Sequence, residues 1–334
     1  MKKIRALLAL APLAFGLMAP SARAEDAAKP DNFPTRPISL VVSYPAGGGM
    51  DITARTLAKE MERVTDNQFR VENHGGGGGI VGNTYVAKQA RPDGYTVGVL
   101  ANPTMFMNIL KQGAEFTAKD VEPIAGINFE PVIWVVRADS EFGKMDFKGI
   151  LDYAKENPGK LKVGVIPNAS FDMATRIVAK QSGADFNIVP FPGGKPALVA
   201  LLGGNIDMSA IYYSEVAQYI EAGQMKVLAV ADNEPLAVAP DAPTMKDLGI
   251  EMASGTWGAD RFAAVPKGTD PAVKAYLASL IAKTLADEET KKAFEAVGVE
   301  LAPKSMDEQQ TRYDESQAAV HDYLEQNGEL AAGQ

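Results

Sequence analysis

Cysteine is absent from this 334-residue chain, and histidine occurs only twice, as His74 and His321. Without cysteine there are no disulfides, no thiol nucleophile, no thiolate metal site and no iron–sulfur cluster, so the fold rests on its hydrophobic core alone. The two histidines have no His-Glu-x-x-His or other metal-ligand spacing. No Gly-x-Ser-x-Gly elbow precedes a helix, no Gly-Lys-Ser/Thr phosphate loop is present, and no acidic pair stands out from ordinary surface charge. These absences argue against an enzyme. Basic runs are missing too. The net charge is −9, and it becomes −13 without Lys2, Lys3, Arg5 and Arg23, so nucleic acid is a poor partner. A small anion is not excluded, because a few local dipoles hold one on an acidic protein.

The N-terminus carries a targeting segment. Lys2, Lys3 and Arg5 form a basic region, Ala6 to Met18 an apolar one, and Ala22-Arg23-Ala24 a small-x-small cleavage site. This is the pattern of a secretory signal peptide, residues 1–24, cut after Ala24. Its apolar run is too short to span a bilayer and no later run is long enough, so no membrane insertion is expected. There is no cysteine at the cleavage point to carry a lipid. The remaining 334 − 24 = 310 residues suffice for two domains.

The chain is organised around Val41-Val42-Ser43-Tyr44-Pro45-Ala46-Gly47-Gly48-Gly49-Met50-Asp51-Ile52-Thr53-Ala54-Arg55. The apolar run Ile38 to Val42 suits a strand buried on both faces of a parallel sheet. Ala54, Leu57, Ala58 and Met61 then fall on one helical face. Between them the Pro-Ala-Gly-Gly-Gly join leaves backbone N–H groups approachable beside a helix N-terminus, an anion-binding arrangement. A tight turn that merely needs glycine gives the same residues.

Two further β-loop-α units follow. Gln68 to Glu72 is a strand, followed by His74 and five consecutive glycines, Gly75 to Gly79. That tract is a βα loop or a flexible linker; a dinucleotide fingerprint would follow the first strand, not the second. Ile80 to Ala90 reads as a helix and Tyr95 to Leu100 as a third strand, with Asn102-Pro103-Thr104 opening the next loop. In an open parallel sheet such loops line the ligand crevice. A second set of units follows Val132 to Val136, with loops at Asn168 to Asp172, Pro192 to Lys195 and Ile211 to Tyr213. Thr269-Asp270-Pro271 starts a helix, with Asp as N-cap and Pro at the first position. The rest, to about Glu325, reads as a charged helical outer layer. Two α/β sets imply two lobes with a cleft between them, the chain's two ends sharing one lobe: 35–130 with 235–334, and 131–234. His74 is either a surface residue or faces the cleft. A hydrolase or lyase using His74 with Asp51 is the rival reading, separated from binding by turnover.

The chain resembles the solute-binding proteins of tripartite tricarboxylate transporters, the TctC or Bug family. The resemblance lies in Arg36-Pro37-Ile38, Pro45 to Asp51 with Ala54-Arg55, Val71-Glu72-Asn73, Pro92-Asp93-Gly94-Tyr95-Thr96 and Pro158-Gly159-Lys160-Leu161. It continues through Val189-Pro190-Phe191, Leu202 to Asp207, Ala222 to Lys226, Pro243-Thr244-Met245 and Val265 to Thr269. It implies an α/β type II periplasmic-binding-protein fold, two lobes closing on a small di- or tricarboxylate or aromatic acid. It also implies a periplasmic monomer that hands its ligand to membrane permease subunits or, alternatively, to a sensor kinase, with no cofactor and no metal. The implied ligand contacts in the first lobe are Tyr44, Ala46, Gly47, Gly48, Gly49, Met50, Gly77 and Gly78, with Asn102 and Thr104 at the third strand. In the second they are Asn168, Ser170, Phe171, Gly193, Gly194, Lys195, Tyr212 and Tyr213. Met50 stands where the family commonly has a hydroxyl, and Asp172 where many members have His. Asp172 is then either a helix N-terminal carboxylate or a reader of a ligand amine. Lys195 opposes its helix dipole, so it is either solvated or paired with the ligand's distal carboxylate. Arg261, in Asp260-Arg261-Phe262, departs from the family pattern.

Overall fold

A computed structural model describes residues 27–252 and 257–333; the signal peptide expected over residues 1–24 lies outside them. In chain order the elements are β1 (Ile38–Val42), α1 (Gly49–Thr65), β2 (Phe69–Asn73), α2 (Ile80–Thr84), β3 (Thr96–Asn102), α3 (Thr104–Leu110), β4 (Val121–Pro131) and β5 (Ile133–Arg137). Then come α4 (Phe147–Glu156), β6 (Lys162–Val165), α5 (Ser170–Ser182), β7 (Asn187–Pro190), α6 (Gly194–Leu202), β8 (Met208–Ile211), α7 (Tyr213–Glu221) and β9 (Met225–Val230). The chain closes with β10 (Gly258–Pro266), α8 (Pro271–Ala286), α9 (Glu288–Glu295), β11 (Leu301–Lys304) and α10 (Met306–Asn327).

Two sheets share one plan. In the first, ordered β11-β4-β10-β3-β1-β2, strands β3, β1 and β2 are parallel and β10 runs antiparallel between β3 and β4. In the second, ordered β7-β6-β8-β5-β9, strands β7, β6 and β8 are parallel and β5 runs antiparallel between β8 and β9. The chain crosses from one sheet to the other at Val132 and returns after Ala231. Those crossings are tied by hydrogen bonds from Val132 N to the Trp257 carbonyl (3.0 Å) and from Ala231 N to the Val132 carbonyl (2.8 Å). This is the two-lobe type II fold. Every residue of β1 is buried, as its almost continuous apolar run requires, and the one polar residue, Ser39, donates to Glu72 at 2.8 Å. Ala54, Leu57, Ala58 and Met61 of α1 are buried too, the larger two stabilising by about 1.5–3 kcal/mol each. Among the described residues no helix is long and apolar enough to cross a membrane.

Two strands have no assignment from sequence and a third interrupts an expected helical layer. β4 carries two prolines and a glycine, and β10 carries Asp260 and Arg261, so neither has a simple strand pattern. They are buried strands because those charges find partners far along the chain. Asp260 accepts from Gln309 Nε2 at 3.0 Å, and Arg261 pairs with Glu130. β11 interrupts the C-terminal layer that reads as continuous helix.

Candidate functional site

Helix starts divide by position. The outer helices α4, α8, α9 and α10 each begin on a side-chain cap, from Asp146, Asp270, Asp287 and Ser305. The helices that start between the sheets, α1, α5, α6 and α7, have none, and their N-cap residues are Gly48, Ala169, Gly193 and Tyr212. Without a cap of their own, their first N–H groups and positive dipole ends are open to partners from other elements or from the cleft.

The loop before α1 is held from behind. Gly47, at φ +87°, donates its N–H to Asp51 Oδ2 (2.9 Å), and Asn73 Nδ2 joins Asp51 Oδ1 (2.9 Å) to the Tyr44 carbonyl (3.0 Å). Burial raises the Asp51 carboxyl, but hydrogen bonds from Arg55, Gly47 and Asn73 outweigh it and hold it below its ordinary value. The glycine tract is pinned by a buried amide ladder: Ser43 Oγ to Asn83 (2.6 Å), Asn83 to Asn108 (2.7 Å), and Asn108 to the Gly78 carbonyl (3.3 Å). A Cβ on Gly78 would lie 2.9 Å from the Pro167 carbonyl, so the tract permits close approach of two backbones across the cleft.

A cavity of about 440 Å³ opens between the lobes. Tyr44, Ala46, Gly48, Gly49, Met50 and Thr104 line it from one side, and Phe171, Gly193, Gly194, Lys195 and Tyr212 from the other. Gly47 stands just outside, with the Lys195 side chain lying across it. Gly77, Gly78 and Asn168 line an adjoining, wider depression that shares Pro45 and Ile166 with the cavity. Ser170 is behind the wall, its Oγ 2.6 Å from the Tyr212 hydroxyl. Asn102 and Tyr213 face away. Asn102 is beside Trp257 and Asp260, and Tyr213 packs near Gly298 in a separate depression with Leu285. Asp172 does not line the cavity; it accepts from Arg176 Nε at 2.6 Å and from Asn168 N at 3.3 Å, a first-turn carboxylate. His74 Nε2 faces Glu72 (3.5 Å) and its ring lies on Tyr85, so it does not meet Asp51.

Burial pushes the Tyr44 hydroxyl up to about 12 and raises that of Tyr212 further, so both are neutral phenols in the wall. The residue the sequence reading missed is Glu215, in the first turn of α7. Acidic residues are ordinary there, and nothing distinguishes it from a capping carboxylate. In the structure its carboxylate reaches the start of α1. Its Oε1 accepts the N–H of Gly49 at 2.7 Å, so the anion seated at the start of α1 is the protein's own. Behind it, Glu130 Oε1 accepts from Ser214 N (2.7 Å), and Glu130 Oε2 lies 2.5 Å from Arg261 Nη1. Arg261 is wholly buried and stacks near the Tyr212 ring at 4.9 Å.

Comparison with known proteins places this geometry. The model of the tripartite tricarboxylate transporter family receptor matches residues 53–327. A UPF0065 protein from the gbd 5' region of Cupriavidus necator is 34% identical over 271 residues, 80% of this chain and 79% of that one. A TctC solute-binding protein from Polaromonas, solved without ligand, is 29% identical with a TM-score of 0.66, covering 88% of this chain and 99% of its own. The periplasmic binding protein BugD is 26% identical with a TM-score of 0.81, covering 89% and 99% respectively.

Proposed function

The chain belongs to the tripartite tricarboxylate transporter family of receptors, and from that premise we propose that its cleft captures a small organic carboxylate and delivers it to the membrane permease subunits of such a transporter. One observation carries the reading. The start of α6, which has no side-chain cap, opens on a single cavity of about 440 Å³ between the lobes, with Lys195 at its mouth and the glycine loop before α1 on the facing wall. Pockets of this volume suit a small molecule, and a helix dipole with one ammonium suits an acid. A ligand touching both sides favours the state in which the lobes are closed.

The proposal includes the lobe boundaries 35–130 with 235–334 and 131–234, periplasmic residence after cleavage at Ala24, and a monomer that binds without turnover. Its test is native mass spectrometry of the freshly purified protein, followed by a thermal-shift screen of carboxylates. A bound small acid, or stabilisation by a subset of acids, supports it. A screen in which no acid raises the melting temperature counts against it.

A further inference from the structure

Two carboxylates and one guanidinium meet where the lobes join, Glu130 and Arg261 buried and Glu215 half-buried. Glu130 accepts from Ser214 N and Oγ and forms an ion pair with Arg261, whose buried guanidinium nitrogens make no hydrogen bond. Glu215 is engaged through one oxygen only: Oε1 accepts from Gly49, while Oε2 is buried and accepts nothing. The charges facing Glu215 are Glu130 from β4 and Arg261 from β10, with the phenols of Tyr44 and Tyr212 nearby and the exposed Lys195 on α6 at the mouth. Glu130 opposes Arg261, so ionised Glu215 leaves one negative charge unbalanced in the cavity wall. Burial pushes its carboxyl up to about 7, with Glu130 adding to the rise and the Gly49 N–H and Arg261 opposing it. The carboxylate is nonetheless built in, since a Cβ on Gly194 would collide with it and one on Gly48 would lie 3.0 Å from Oε1.

We propose that the ligand supplies the missing charge: the cavity takes an amino carboxylate, its ammonium against Glu215 Oε2 and its carboxylate toward Lys195 and the start of α6. Ile166, Phe171 and Val199 give the remaining wall an apolar character that suits an apolar ligand body. The inference rests on the carboxylate-capture reading above and narrows it. A simple anion at the start of α1 must displace Glu215 or lie beside it, and like charges repel strongly away from water. An ammonium instead meets a buried acceptor that is otherwise unpaired, which is where a charged hydrogen bond contributes most. Asp172, the other acidic residue at a second-lobe helix start that could read an amine, is already engaged by Arg176.

The test is calorimetric titration with acid pairs that differ only in the amine: phenylalanine and 3-phenylpropionate, leucine and 4-methylpentanoate, glutamate and glutarate. Wild type, Glu215→Gln and Glu215→Ala are compared at pH 6 and pH 8, with circular dichroism confirming that each is folded. Wild type should bind the amino member of at least one pair tenfold or more tightly than its partner, with the preference larger at pH 8. In both variants the two members should come within about threefold of each other. A wild type that favours the amine-free member, or a variant that keeps the amino preference, overturns the inference. Amino and amine-free members that bind wild type and both variants all alike overturn it while leaving carboxylate capture standing. Failure of every acid to bind overturns both.

Discussion

Replacing Glu215 by Gln removes the ionisable group while keeping an oxygen for the Gly49 N–H. The carboxyl titrates at 4.5 when unperturbed and at about 7 in the fold. The folded state therefore holds the proton more tightly than the unfolded chain. Its contribution to stability is fully present below the unfolded value and is lost as pH rises from 4.5 to about 7. The shift corresponds to roughly 3 kcal/mol at about 1.4 kcal/mol per pH unit. Gln cannot ionise, so the variant loses none of it. Its amide brings a buried N–H₂ that needs an acceptor, a pH-independent cost of about 1–3 kcal/mol. The pH dependence of the difference is thus the test, not its sign at one pH. Thermal denaturation of ligand-free wild type and Glu215→Gln between pH 4 and pH 8.5 should show the variant gaining on wild type by about 5 °C or more across the window, then a plateau. Parallel profiles would refute the reasoning, because they would mean that Glu215 is solvated and ordinary.

Three other substitutions probe the same region. Arg261→Met leaves Glu130 buried without its cation and should destabilise by about 3–5 kcal/mol in chemical denaturation, with Glu130→Gln in the same chain restoring part of the loss. Lys195→Ala should leave the melting temperature unchanged, since the side chain is exposed, while weakening the best carboxylate about threefold to tenfold by titration. Gly82→Ala places a Cβ 2.5 Å from Ser43 Cα and 2.9 Å from the His74 carbonyl, so denaturation should show a loss of about 1–3 kcal/mol; an unchanged midpoint would mean that α2 can move off β1.

Local signals carried the parallel half of each lobe. The apolar run of β1, the glycine join and the stripe of α1 are contiguous in sequence, and Asp270 with Pro271 starts α8 as those residue types dictate. What was not legible depends on partners that are distant along the chain. Arg261 sits in the interior because Glu130 faces it, and Asp260, on the opposite face of β10, because Gln309 and Lys304 meet it from the C-terminal layer. No window of residues contains those pairs. Glu215 was hidden for the converse reason: its local setting, the first turn of a helix, already explains an acid. Only the fold brings it 2.7 Å from Gly49 and turns a routine residue into part of the cavity. For the same reason glycines that read as room for a ligand prove to make room for side chains of the protein, Gly48 and Gly194 for Glu215 and Gly49 for Arg261.

Capture without chemistry is the central claim, and calorimetric titration of the best acid from the thermal-shift screen tests it most directly when the solution is assayed afterwards. The expected result is a saturable heat at one acid per protein chain, with the acid recovered intact from the denatured complex. Heat that never saturates, or an acid consumed during the titration, would contradict it.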